Sequence, residues 1–118
     1  MKKLLGLLAL GAFTCVCWSA TPVTLVTGGT VTAVSSVASD TLEFSVKTTG
    51  GANGDPCTAV DFVLSSMPSS DASSWQRAYA TALLAFTTGS QVWITGYSGS
   101  ACTGAVQIEI CAAGATCP

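Results

Sequence analysis

Three short runs of this chain alternate apolar and polar residues with a period of two, and between the second and the third the period changes once. In "TLEFSVK", residues 41–47, Leu42, Phe44 and Val46 alternate with Thr41, Glu43, Ser45 and Lys47. In "AVDFVL", residues 59–64, Val60, Phe62 and Leu64 alternate with Asp61 and Val63. In "AVQIEIC", residues 105–111, Val106, Ile108 and Ile110 alternate with Gln107, Glu109 and Cys111. A period of two sends every second side chain to one face of a strand, so each run predicts a strand with one buried face. "TPVTLVTGGTVTAV", residues 21–34, reads as a first strand, with a bulge or sharp bend at Gly28-Gly29.

The interruption falls at residues 71–88. Trp75, Tyr79, Leu83 and Phe86 recur at helical spacing, with Ala78 and Ala82 beside them, which predicts a helix with one apolar face. Trp75, Tyr79 and Phe86 are expected in the core. Ser69, Ser70 or Asp71 supplies the N-terminal cap after Pro68, and Gly89 stands where a left-handed C-terminal cap belongs. "QVWITGY", residues 91–97, then begins a fourth strand at once.

The element order is therefore three strands, one helix and two strands. That is the order of the OB-fold, a small five-stranded barrel whose helix plugs one end. An antiparallel sandwich with a packed helix is the alternative. Loops are signalled by "TTGGANGDP" and "GYSGSACTG", and no repeat or interdomain linker is visible.

The opening "MKKLLGLLALGAFTCVCWSA" has a basic start at Lys2 and Lys3 and an apolar run, Leu4 to Phe13, too short to span a bilayer comfortably. It reads as a cleaved signal peptide over residues 1–19, with Ala20 the other cleavage position, leaving residues 20–118 as a single domain. Neither Cys15 nor Cys17 follows the Leu-small-small pattern of a lipidation site. A secreted or periplasmic location is expected, with no membrane insertion. Loss of Lys2 and Lys3 leaves two cations, Lys47 and Arg77, against six acids, a net charge of −4. Two cations cannot neutralise a phosphate backbone, so nucleic acid is not an expected partner.

Four cysteines remain in the mature chain, an even number that implies two disulfides in an exported protein. Cys111 and Cys117 lie six apart across "CAAGATC", with Gly114 to ease the turn, and are paired on that ground. That leaves Cys57, at the start of the third strand, for Cys102. Closing this long loop stabilises the fold by about 4 kcal/mol on the chain-entropy model.

The segment "SSWQRAYATALLAFTTGSQVWITG" resembles the matching part of the subtilase cytotoxin B-subunit family of small secreted bacterial OB-fold proteins. There too an aromatic-containing helix ends in a Thr-Gly turn before a Val-x-Ile strand. The resemblance covers residues 57–102 best, and the closely spaced C-terminal cysteines add to it. It implies an OB-fold and a homopentameric ring that binds sialylated host glycans, with a toxin A subunit as a further partner. The family's sugar-contacting serine on the first strand has its nearest counterpart in Thr27, just before Gly28; Thr27 keeps the hydroxyl. The family's strand-four arginine is replaced by Trp93.

The residue inventory bears on catalysis. The chain has no histidine, so a Ser-His-Asp or Cys-His arrangement is impossible. Cysteines in an oxidising compartment are expected as cystines rather than nucleophiles or zinc ligands. A carboxylate pair for glycoside hydrolysis would have to come from the six acids; Asp61 and Glu109 lie on outward faces of separate strands and could meet, but outward carboxylates are ordinarily solvated. No phosphate loop or dinucleotide fingerprint is present. No catalytic residue, cofactor or metal is therefore expected.

Trp93 and Tyr97 carry more information. With Val92 and Ile94 pointing inward, Trp93, Thr95 and Tyr97 share the outward face of the fourth strand, and large aromatics on a solvent face mark interfaces. The candidate glycan-binding set is Thr27, Gly28, Trp93 and Tyr97. A subunit interface or a patch under the C-terminal tail is the competing use of that face, and a protein-interaction module without a glycan role is the competing function.

The cystine assignment is directly testable. Peptide mapping without reduction is expected to recover Cys57–Cys102 and Cys111–Cys117; a peptide joining Cys57 to Cys111 or Cys117 would displace the strand positions as well.

Overall fold

The computed structural model describes residues 22–36, 42–49, 57–67, 70–97, 101–112 and 117. The expected leader, residues 1–19, and the loop residues Asp40, Asp55 and Gly114 lie outside them. The chain is mainly β with one helix: β1 (Pro22–Ser36), β2 (Glu43–Thr48), β3 (Ala59–Val63), α1 (Ala72–Thr88), β4 (Gln91–Tyr97) and β5 (Ala105–Ile110). Short 3-10 turns follow β3 at Leu64–Ser66 and precede β5 at Ala101–Thr103.

All five strands form one antiparallel sheet in the order β3-β2-β1-β4-β5. β1 is the central strand and serves two partners. Its first part, Pro22 to Thr30, pairs with β4, and its second part, Val31 to Ser36, pairs with β2. The strand has to bend to do this, and its register shifts at Thr24/Val26, Thr27/Gly29 and Val31/Ala33. Extra residues of this kind raise local twist and curve a sheet. The expected bend at Gly28-Gly29 is one of them, and Gly28 takes φ 73°, a conformation glycine enters without steric cost.

This strand order is that of an OB-fold opened between β3 and β5. The expected barrel is not closed: no ladder joins β3 to β5 among the described residues. The Cys57–Cys102 disulfide ties the residue before β3 to the turn before β5, with Cα atoms 5.7 Å apart. A covalent link thus stands at this seam. Cys111–Cys117 forms the second cystine, with Cα atoms 5.3 Å apart.

The core follows the alternation. Phe44, Val46, Val60, Phe62, Val92, Ile94 and Ile108 are buried, as their strands predict. Leu42 is not, at 52% exposed. Its carbonyl accepts the Leu64 N–H at 2.9 Å, one step beyond the last ladder pair, Glu43 with Val63, so its side chain falls past the end of the core. Leu64 is half-buried in the 3-10 turn instead of continuing β3.

α1 packs against β1 and β5. Its cap is Asp71, whose side chain accepts from the Ser73 N–H at 3.0 Å and from the Ser73 and Ser74 hydroxyls at 2.9 Å. The Ser74 hydroxyl above all, and then Ser73, hold the Asp71 carboxyl below its usual range by favouring the charged form. Gly89 ends the helix in the left-handed conformation, its N–H bonded to the Ala85 carbonyl, and β4 starts two residues later.

The buried face of α1 differs from the expected one. Ala78, Ala82 and Ala85 form the buried stripe, while Leu83 and Phe86 are exposed, Phe86 by 49%. Alanines let the helix backbone lie close to the sheet, and a larger side chain on that seam would hold it off. Bulk enters only near the N-terminal half. There Phe44 stacks on Phe62 at 4.7 Å between centroids and meets Trp75 and Tyr79 edge-on at 5.4 and 5.1 Å. The Trp75 indole N–H donates to the Phe62 carbonyl at 3.1 Å, fixing the helix to β3. Trp75 and Tyr79 thus pack against the core as expected; Phe86 does not.

The two helix faces make opposite predictions. Ala82→Leu is expected to destabilise the protein by about 2 kcal/mol or more through overpacking. Phe86→Ala should cost under about 1 kcal/mol, because little of its ring is buried. Urea unfolding of both variants checks the pair, and equal losses would reject the alanine seam.

Candidate functional site

Three strands meet on the outer face where the sequence placed its candidates. Along β4, Val92, Ile94 and Gly96 point into the core, and Trp93, Thr95 and Tyr97 lie on the other side. The register then fixes their neighbours. Trp93 is opposite Thr27 of β1 and opposite Glu109 of β5, and Thr95 is opposite Thr24 and Gln107. Cross-strand partners share a face with Cα atoms about 5 Å apart. The outer face therefore carries a row Thr27–Trp93–Glu109 and beside it a row Thr24–Thr95–Gln107.

The four candidates are not all assembled. Thr27 and Trp93 are adjacent. Tyr97 pairs with Pro22 at the far end of β4. Four residues of strand put it about 13 Å from Trp93, so one monosaccharide cannot touch both rings. Gly28 turns toward the C-terminal cystine: a Cβ there would come 3.7 Å from Gln91 Oε1 and 4.0 Å from Cys117 Sγ. It shapes the bulge that carries Thr27 rather than lining the face.

Trp93 and Tyr97 are each half-buried, and Thr95 between them is only 5% exposed. Thr95 lies on the expected face without being open to solvent. The Trp93 indole Nε1 is buried and has no hydrogen-bond partner among the described residues. An unpaired buried donor of this kind costs about 1–3 kcal/mol. The ring thus presents apolar surface, with its polar edge turned away from solvent.

Glu109 and Gln107 were legible as the polar alternates of the last strand, but not as part of this face. The signal lay in the register with β4, which a single sequence does not display. Gln107 Nε2 donates to Glu109 Oε1 at 2.5 Å, which orients the carboxylate. Asp61, the other half of the carboxylate pair weighed above, accepts from the Ser45 hydroxyl on β2. Each acid is thus engaged by its own neighbour.

A cleft of about 150 Å³ lies between α1 and β5, lined by Met67, Ser74, Arg77, Thr81, Gln107 and Ile108 among others. Its one charged group, Arg77, donates to the Ser74 hydroxyl at 3.0 Å. Among the described residues no cluster of three or more His, Cys, Asp or Glu side chains is placed to hold a metal. No helix among them is long and apolar enough to cross a membrane.

Fold and site define a small, disulfide-tied, mainly β protein with an aromatic patch on one sheet face. The chain matches the model of a family of unknown function, DUF5992, over residues 5–112, and it belongs to that family. No curated protein and no solved structure matches it.

The unpaired indole gives a measurable consequence. Trp93→Phe keeps an aromatic ring and removes the buried N–H, so stability is expected to hold or to rise by up to about 1 kcal/mol. A loss above about 1 kcal/mol in urea unfolding would show that the N–H has a partner.

Proposed function

We propose that this protein is an exported, non-catalytic binding module of toxin-B-subunit type that holds host cell-surface glycans on the β1–β4–β5 face as a ring-forming homo-oligomer. The row Thr27–Trp93–Glu109 carries the reading. A sugar ring has C–H faces that stack on an aromatic surface, and hydroxyls that need donors and acceptors at its rim. The row supplies a half-buried indole flanked by a hydroxyl on one strand and a carboxylate on the other. Tyr97, about 13 Å along the strand, is placed for a second residue of an oligosaccharide.

A shallow site of this kind binds weakly, and several copies on one ring multiply the attachment. A separate observation supports self-association. Leu83, Leu84 and Phe86 are 39%, 55% and 49% exposed within about one turn of α1. Leu83 and Phe86, three residues apart, are neighbours on the helix surface, and exposed apolar side chains of this kind mark an interface. A second copy of the chain is the occupant that the resemblance to a ring-forming family favours. An exported A subunit would be the further partner of such a ring.

Native mass spectrometry of the oxidised protein and a glycan array test the two halves. A ring, pentameric on the family resemblance, is expected, and Leu84→Glu with Phe86→Glu should convert it to monomer while leaving the fold intact by circular dichroism. Trp93→Ala should abolish glycan signal. A monomer at working concentration, or an array signal that Trp93→Ala leaves unchanged, would reject the corresponding half. Capture of a protein by the Trp93 face with no glycan signal would favour the interaction-module reading.

A further inference from the structure

We infer that the Trp93 face selects uncharged, hydroxyl-rich saccharides and discriminates against sialylated ones, an inference that rests on the glycan reading above and narrows it. The argument is one of charge and of donor type. Glu109 lies directly across from Trp93 and is exposed. A carboxylate only accepts hydrogen bonds, so its natural partners on a sugar are hydroxyls, and its two oxygens can take a neighbouring pair of them. Gln107 Nε2 already holds Oε1 at 2.5 Å, so the group is oriented.

A sialic acid brings a carboxylate of its own. Stacked on Trp93, it would sit within a few ångströms of Glu109, and neither cation of the mature chain stands in the row to offset it. Lys47 is on β2, in register with Ala33 and Ala59. Arg77 is on α1, in the cleft that it lines with Gln107 and Ile108, and its guanidinium is bonded to Ser74. The Trp93 indole N–H is buried and offers an anion no hydrogen bond. Two like charges about 5 Å apart at a solvated surface disfavour binding by about tenfold. A neutral sugar meets no such opposition and gains the hydroxyl-to-carboxylate bonds.

The test uses the oxidised protein on a glycan array that carries neutral glycans beside their terminally sialylated counterparts, followed by titration of the strongest neutral glycan and its sialylated partner. Neutral members are expected to bind at least about tenfold more tightly than their sialylated partners. Glu109→Gln should weaken neutral binding and erase that difference, and Trp93→Ala should remove both. Sialylated members binding as tightly as neutral ones, with the signal lost in Trp93→Ala, would overturn the charge argument and leave the glycan face standing. Sialylated binding lost in Arg77→Gln but kept in Trp93→Ala would overturn it by placing the ligand at the helix cleft. No binding to any member would remove the glycan reading and this inference with it.

Discussion

A strand of fifteen residues that pairs with one neighbour over its first half and another over its second must change direction in between. That bend in β1 is the constraint on which the rest of the molecule depends. It turns what would be a flat sheet into a curved one, with an inside that one helix can fill. It brings β3 and β5, at opposite ends of the strand order, toward each other. It also sets Thr27 on the outer face beside Trp93, because the extra residue at Gly28 fixes which side chains of β1 share the face of β4. Replacing the left-handed Gly28 by any residue with a Cβ would strain the very point where curvature and site meet.

The curved sheet leaves a space of uneven depth, and α1 fills it with two kinds of contact. Deep packing comes from aromatics at one end, where Phe44 lies between Phe62 and the Trp75–Tyr79 pair. Close approach comes from alanines along the rest. The indole N–H of Trp75 adds direction to what is otherwise non-directional burial, since only one helix position lets it reach the Phe62 carbonyl. The same economy pushes leucines and a phenylalanine outward. A helix that buries alanines has its larger residues available for another surface.

Much of this was legible in the chain. Period-two runs located β2, β3 and β5, because one buried face leaves its signature in every second residue. The Asp71 and Gly89 caps located both ends of α1, because helix termini demand particular chemistry. What stayed hidden depended on distances between elements. The Trp75–Tyr79–Leu83–Phe86 stripe and the Ala78–Ala82–Ala85 stripe are both regular, and only the gap between helix and sheet decides which one is buried. Leu42 has the right alternation, yet it stands beyond the last ladder pair. Glu109 was visible as an outward residue, while its place beside Trp93 is a property of register. The missing β3–β5 ladder likewise depends on how far the curvature runs.

The seam between β3 and β5 bears on when this protein can exist. In a barrel closed by backbone bonds the last two strands protect each other as soon as they meet. Here a sulfur–sulfur bond holds them instead, and cystines persist in oxidising surroundings. In a reduced chain nothing covalent would keep these two strand edges side by side, and separated edges are the surface on which chains zip together. The fold is thus coupled to redox conditions: the reduced chain would be the hazardous species, and oxidation is the step that commits it to its final shape.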